Sequence, residues 1–320
     1  MDALSDVLRV VRLTGGVFLD ARFSAPWALA GNVRPEEMRL FLASPSSQVI
    51  GFHYIVSGRL VAHVLGGEPV ELGPGEIVLL PRNDLHVLGS AYGLTPEPAS
   101  EVVMPDPGAG IWRVAHGGGG EETHIVCGYL GGASDQNPLI ASLPQLLTLN
   151  VAETPGGAWI AQSFAFAAQQ LAEGAAGGAT VISKLSELMF VEAVRRYIET
   201  LPPEETGWLA GLRDPAVGRA MALMHTRAAE DWTAETLAGE VNLSRSAFAD
   251  RFTQLVGMPP MKYLTTWRMQ AAAQRLRDTR QTIAQIAYDV GYESEAAFTR
   301  AFRREMGQPP ATWRKQATLA

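Results

Sequence analysis

Two sets of side chains in this 320-residue sequence could do chemistry. The first occurs twice near the C-terminus. A serine able to cap a helix, Ser244 or Ser294, precedes residues that would project from the first turns of that helix. They are Arg245, Ser246 and Ala249 in one place, and Glu295, Ala296 and Thr299 in the other. Arginine offers a paired donor to guanine, and short side chains let a helix approach base edges, so the chemistry on offer is the reading of a DNA groove. The second set is sparser: one cysteine, Cys127, and six histidines. A lone cysteine excludes an intramolecular disulfide and leaves a reactive thiol, a metal ligand or a small core residue.

The first set rests on an internal repeat. LAGEVNLSRSAFADRFTQLVGMPPMKYL (237–264) and IAQIAYDVGYESEAAFTRAFRREMGQPPATW (283–313) share Ser244/Ser294, Phe248/Phe298, Phe252/Phe302, Gly257/Gly307 and Pro260/Pro310, each pair 50 residues apart. Upstream of the serines the offset is 49, as in Leu237/Ile286 and Val241/Val290, so the second turn carries one inserted residue. Each copy has the parts of a helix-turn-helix. A short helix presents two aliphatic residues to a core, and a turn follows at Asn242 or Gly291, types that accept a left-handed backbone. The serine caps the second helix, and two phenylalanines at i and i+4 pin it down. Glycine and proline then end it. In such a motif the second helix lies in the major groove. Arg245 is the base reader of choice, while Arg251, Lys262, Arg300, Arg303 and Arg304 suit phosphates. A structural repeat without nucleic acid is the alternative reading.

Charge agrees with the reader. The chain carries −7 overall, but residues 211–320 hold 15 basic against 11 acidic side chains, and residues 1–210 hold 11 against 22. A basic part on an acidic body suits an anionic partner. No apolar run is long enough to span a bilayer, and the N-terminus lacks a signal-peptide pattern, so a cytoplasmic location is expected.

Residues 1–150 read as an all-β domain of short strands separated by turn clusters, a sandwich or barrel. The Gly-, Pro- and acid-rich stretch 93–122 reads as a loop. Residues 151–210 read as a helical linker of two helices, the second with a stripe of Leu185, Leu188, Met189, Glu192 and Arg196. That stripe would pack on the β domain or on the same helix of a second chain. Residues 211–320 read as all-α. The fold class is thus a two-domain α+β chain.

The span 233–315, through SRSAFADRF, VGMPPMKYLTTWRM and IAYDVGYESEAAFTRAFRREMGQPPATWR, resembles the AraC/XylS-family DNA-binding domain. The resemblance implies seven helices, with a long one near 261–277 joining two motifs that bind adjacent major grooves. The N-terminal half is similar to cupin-type sensors of that family. GPGEIVLLPRNDLHVLGS fits the second cupin motif through Gly75, Pro81 and His86, with Asn83 where glycine is usual and Ser90 where asparagine is usual. His53 in FHYIVSGR matches the first motif, but Ile55 takes the second histidine's place and the glutamate is missing near Gly58–Arg59.

The resemblance implies that His53 and His86 come from facing strands. With Cys127, whose strand parity groups it with Ile125 and Tyr129, they would suit zinc with an open fourth position. Plain packing and a redox-responsive thiol are the alternatives, the latter requiring a lowered pKa and exposure. His63, His116 and His124 read as surface or loop residues. Altogether the sequence points to a transcriptional regulator, in sign an activator, whose cupin-like domain senses a small molecule, metal or oxidant. The partners implied are double-stranded DNA, RNA polymerase, a small-molecule effector and a second copy of the chain. A metal-dependent cupin enzyme joined to a DNA reader, or a ligand-free architectural DNA-binding protein, are the competing readings.

Overall fold

Runs such as VIGFHYIV and EIVLL are apolar at nearly every position because their strands are covered on both faces. The computed structural model describes residues 13–14, 18–32, 48–103, 112–132, 138–151, 178–202 and 204–319, with a few isolated positions besides. The strands are β1 (Leu13–Thr14), β2 (Phe18–Ser24), β3 (Ala28–Gly31), β4 (Gln48–Ser57), β5 (Leu60–Val64) and β6 (Val70–Leu72). They continue as β7 (Glu76–Leu80), β8 (His86–Gly89), β9 (Glu97–Pro98), β10 (Trp112–Gly117), β11 (Glu122–Gly132) and β12 (Leu147–Asn150). One sheet runs β10-β2-β11-β4-β7-β12, with β1 on β11, and the other β6-β5-β8-β3-β9. Among the described residues neither sheet closes on itself, so the expected barrel takes the form of two open sheets over one core.

That core is built by alternation. Leu19, Ala21, Phe23, Ile55, Val78, Ile125 and Cys127 from the larger sheet meet Leu29, Leu60, Ala62, Leu72 and Leu88 from the smaller. Trp27 stacks on Phe23 with ring centroids 4.4 Å apart. Phe52, Tyr54, Ile77 and Leu79, on the opposite faces of β4 and β7, are buried as well.

The stretch 93–122 is not simply a loop. It contains β9, a short helix α1 (Ala99–Val102) and β10, which pairs in parallel with β2. Trp112 and Val114 alternate onto the core, a period-2 signal hidden by the glycines and acids around it.

The chain divides into two compact units, with α2 (Pro138–Ser142) grouped to the helical one and the later boundary at Tyr197/Ile198. That boundary lies in the last turn of α3 (Gly178–Thr200). The buried face of α3 is Ser186, Met189, Phe190, Ala193, Val194 and Ile198, which keeps Met189 of the expected stripe but leaves Leu185 only half-buried. Leu188 is 41% exposed, and Glu192 turns outward to hold Arg195 at 2.8 Å and Arg196 at 3.0 Å. Phe190 is the largest apolar side chain on the buried face, and it turns inward with Met189, Val194 and Ile198. The helix expected before it lies largely outside the described residues.

The helical unit begins with α4 (Trp208–Arg213). Seven helices follow, α5 (Pro215–Thr226), α6 (Ala234–Glu240), α7 (Arg245–Val256), α8 (Pro260–Asp278), α9 (Ile283–Asp289), α10 (Glu295–Met306) and α11 (Pro310–Leu319). Asp214 caps α5 by accepting from the Ala216 and Val217 amides, with Pro215 at the first helical position. No described helix is long and apolar enough to cross a membrane.

Candidate nucleic-acid interface and buried histidine pair

The two motifs are α6–α7 and α9–α10, and each is fixed by side-chain hydrogen bonds. Thr233 and Thr236 form a capping box at the start of α6, as do Thr282 and Gln285 at the start of α9. Asn242 adopts φ +56° and Gly291 φ +83°, the left-handed turn that both residue types suit. Leu243 N–H then donates to Ala238 O, and Tyr292 N–H to Ala287 O, each at 2.9 Å. The copies stay in step to this point, so the inserted residue is Glu293, between Tyr292 and Ser294.

Ser244 Oγ accepts from the Ala247 amide and Ser294 Oγ from the Ala297 amide, both at 3.2 Å. Both serines are N-caps, as their position requires. Phe248, Phe252, Phe298 and Phe302 are fully buried, and Gly257 and Gly307 end the helices in left-handed conformation. This anchoring leaves Arg245, Ser246, Glu295, Ala296, Arg300, Arg303 and Arg304 exposed, with Ala249 and Thr299 half-buried at the same ends.

The basic residues differ in what they hold. Among the described residues Arg245, Arg300 and Arg303 have no ion-pair partner. Arg251 instead binds Asp214, Nη2 to Oδ2 2.5 Å. Lys262 binds Glu305 at 2.6 Å, and Arg304 approaches the same carboxylate at 3.4 Å. These partners lie 37 and 43 residues away in the chain, and no local sequence signal marks them. In the same unit, Trp208 Nε1 donates to Tyr263 Oη at 2.9 Å, and Tyr263 Oη shares a hydrogen bond with His225 Nε2 at 2.6 Å. Burial pushes His225 down to about 3.

In the β unit the sheets bring His53 and His86 together. Their Nε2 atoms are 3.2 Å apart, and both side chains are buried. His86 Nδ1 lies 3.0 Å from Asp84 O, so it carries the proton there and its Nε2 accepts from His53. His53 Nδ1 is then an acceptor without a partner among the described residues. Burial lowers both imidazoles' affinity for protons, and His86 adds to the effect on His53. Asn83, in the glycine place of the motif, has φ +55°, so the turn keeps its left-handed form. Ser90 Oγ accepts from the Trp27 amide at 3.1 Å.

Cys127 is the ladder partner of His53 across β4 and β11. Even so, no group of three His, Cys, Asp or Glu side chains able to hold a metal occurs among the described residues. Zinc needs at least three protein ligands, and the residues His53, His86 and Cys127 do not assemble that set. Burial also raises the Cys127 thiol far above its ordinary range, with Asp20 adding to it. A 4% exposed, protonated thiol lacks what a redox sensor requires.

The other histidines lie on strands rather than loops. His63 on β5 meets Tyr92 edge-on, His116 on β10 is 3.2 Å from Glu97, and the mostly buried His124 on β11 is 2.5 Å from Asp20.

Comparison with known proteins agrees with both halves. A cupin family model matches residues 2–199, and a helix-turn-helix domain model matches residues 237–316. A putative AraC-like transcription regulator of Streptomyces lividans is 31% identical over 321 residues, covering 100% of both chains. A second, of Streptomyces antibioticus, is 30% identical and covers 98% of this chain and 99% of its own. The HTH-type transcriptional regulator AlkR of Acinetobacter baylyi is 27% identical over 99% of this chain and 100% of its own. The chain belongs to the AraC-like transcriptional regulators, with a cupin domain ahead of its helix-turn-helix DNA-binding domain.

Proposed function

We propose that this regulator binds two adjacent major grooves through the exposed N-terminal turns of α7 and α10, and that the cupin half sets its activity by binding a small molecule near His53 and His86. The observation that carries the DNA part is the pair of capped, phenylalanine-anchored helices whose Arg245, Arg300 and Arg303 have no ion-pair partner among the described residues. Arg245 takes a guanine edge, Glu295 suits a cytosine amino group, and Arg300, Arg303 and Arg304 hold phosphates. The Ser244 and Ser294 oxygens cap the helices, and their hydroxyls are exposed at the same ends for phosphate.

The His53–His86 pair supports the sensing part. Two neutral imidazoles and an unpartnered nitrogen in an apolar core suit an uncharged hydrogen-bonding effector rather than an anion. The effector changes transcription only if it binds one arrangement of the protein better than another. Activation through RNA polymerase, by a chain acting as a homodimer and catalysing no reaction, completes the reading.

The test is selection of duplexes from a randomised pool by the full-length protein, followed by in vitro transcription from a promoter carrying the selected site. Two half-sites about one helical turn apart are expected. A single half-site, or none, would count against two working readers. Screening small molecules for a rise in melting temperature that is lost in His86→Ala tests the sensor.

A further inference from the structure

Arg268 lies midway along α8, the helix joining the two readers, and is half-buried. Its Nε donates to Ala228 O and its Nη2 to Glu230 O, each at 2.7 Å. Both carbonyls belong to the loop that leads into α6 of the first reader. That loop is tied internally as well, since Arg227 pairs with Glu230 and Trp232 Nε1 donates to Arg227 O at 3.0 Å.

The same guanidinium meets the turn of the second reader. A Cβ placed on Gly291 would stand 2.8 Å from Arg268 Nη2 and 2.9 Å from Ala229 O. The Tyr292 ring centroid lies 6.0 Å from Arg268 Cζ. Glycine is therefore required at 291 on two counts, backbone conformation and the closeness of this guanidinium.

Each reader otherwise packs on α8 separately. Phe252 meets Tyr263 at 5.6 Å, while Phe298 and Phe302 share a core with Met269, Ala272, Ala273 and Leu276. Those contacts hold each motif to the helix. Arg268 touches both the approach to one motif and the turn of the other, through a planar fork that admits little rotation.

We propose that Arg268 is a positioning residue that fixes the relative setting of the two readers, and so the separation of half-sites that the protein accepts on DNA. Linked modules gain affinity only when geometry lets both engage at once. Arg268 touches no base in this account, so its loss should leave the half-site sequences unchanged and relax their spacing.

The proposal rests on α7 and α10 being the readers, and the experiment separates the two ideas. Full-length wild type, Arg268→Met, Arg268→Lys and Gly291→Ala are each put through selection on a randomised duplex pool, with a thermal melt as the check on folding. Binding is then measured on the selected duplex and on versions with one base pair added or removed between half-sites. Wild type should lose about tenfold on a one-base-pair change, and a folded Arg268 or Gly291 variant only about two- to threefold, with the same half-sites selected. An unchanged spacing penalty in any folded variant overturns the proposal. Half-sites altered in sequence, or absent from the wild-type pool, overturn the reader assignment and the proposal with it. Arg268→Lys keeps charge and length, so it tests the fork even if Arg268→Met does not fold.

Discussion

Arg251, on the first recognition helix, and Asp214, the N-cap of α5, are joined by a 2.5 Å ion pair. The first reader is thereby clasped to the helix that opens its own domain, and one of its cations is already engaged. Arg303, on the second recognition helix, has no such partner among the described residues. Each phosphate neutralised contributes about 0.9 to the slope of log affinity against log salt. Arg303→Ala should lower that slope by about 0.9, and Arg251→Ala by clearly less. Equal reductions, measured by fluorescence anisotropy between 50 and 300 mM salt, would show that Arg251 releases Asp214 for phosphate.

Arg245 is the exposed first residue of α7, and the proposed reading gives it a base edge rather than a phosphate. Arg245→Ala should lose about 1–3 kcal/mol of discrimination at one base pair and little elsewhere. The check is a set of duplexes substituted position by position. A uniform loss on every duplex would make Arg245 a phosphate contact.

Two buried histidines, His53 and His86, and the partly buried His225 should make the protein acid-sensitive. His53 and His86 titrate below their ordinary value because of burial, and His225 is pushed down to about 3. A group held neutral in the fold takes up its proton more readily when unfolded, so stability falls as pH drops below about 6.5. His225 alone would withdraw about 4 kcal/mol by pH 3.5. Calorimetric melting at pH 7.5, 6 and 5 should show falling stability, with a shallower fall in His225→Gln. A melt that ignores pH over this range would contradict the burial argument.

Cys127 should behave as a small core residue. In the native protein a disulfide reagent should react with it only at the rate of unfolding, and at full speed in denaturant. Cys127→Ser should cost about 1–3 kcal/mol, because a hydroxyl is placed in an apolar core. Rapid labelling of the native thiol would restore a redox role.

The C-caps separate conformational cost from steric cost. A Cβ at Gly257 or Gly307 meets nothing within 4 Å, whereas at Gly291 it meets Arg268 and a carbonyl. Gly257→Ala and Gly307→Ala should each cost about 1–2 kcal/mol through left-handed backbone alone. Gly291→Ala should cost distinctly more in a denaturant titration, and an equal cost would mean that Arg268 moves aside freely.

The reader was legible in the sequence because its determinants are local. Caps, turn residues and i, i+4 phenylalanines act within a few residues, so Ser244, Asn242, Gly291 and Phe298 announce their roles by type and spacing. Their doubling at offsets of 49 and 50 made the pattern specific. The strands of the β half were legible too, except β10, whose alternation is short and set among glycines and acids.

What only the tertiary structure decided are relations across long stretches of chain. The face that α3 buries, with Phe190 and Val194 inward and Leu188 outward, depends on packing partners the sequence cannot locate. The meeting of His53 and His86 followed from a cupin resemblance, but that Cys127 joins no metal-holding set with them depends on side-chain directions across three strands. The clasps Arg251–Asp214, Lys262–Glu305 and Arg268 with the 228–230 loop join residues 37 to 43 positions apart. Sequence patterns encode periodicity and capping, which are local energies. Which charges remain free for DNA is settled by how helices pack, and packing is a property of the folded unit.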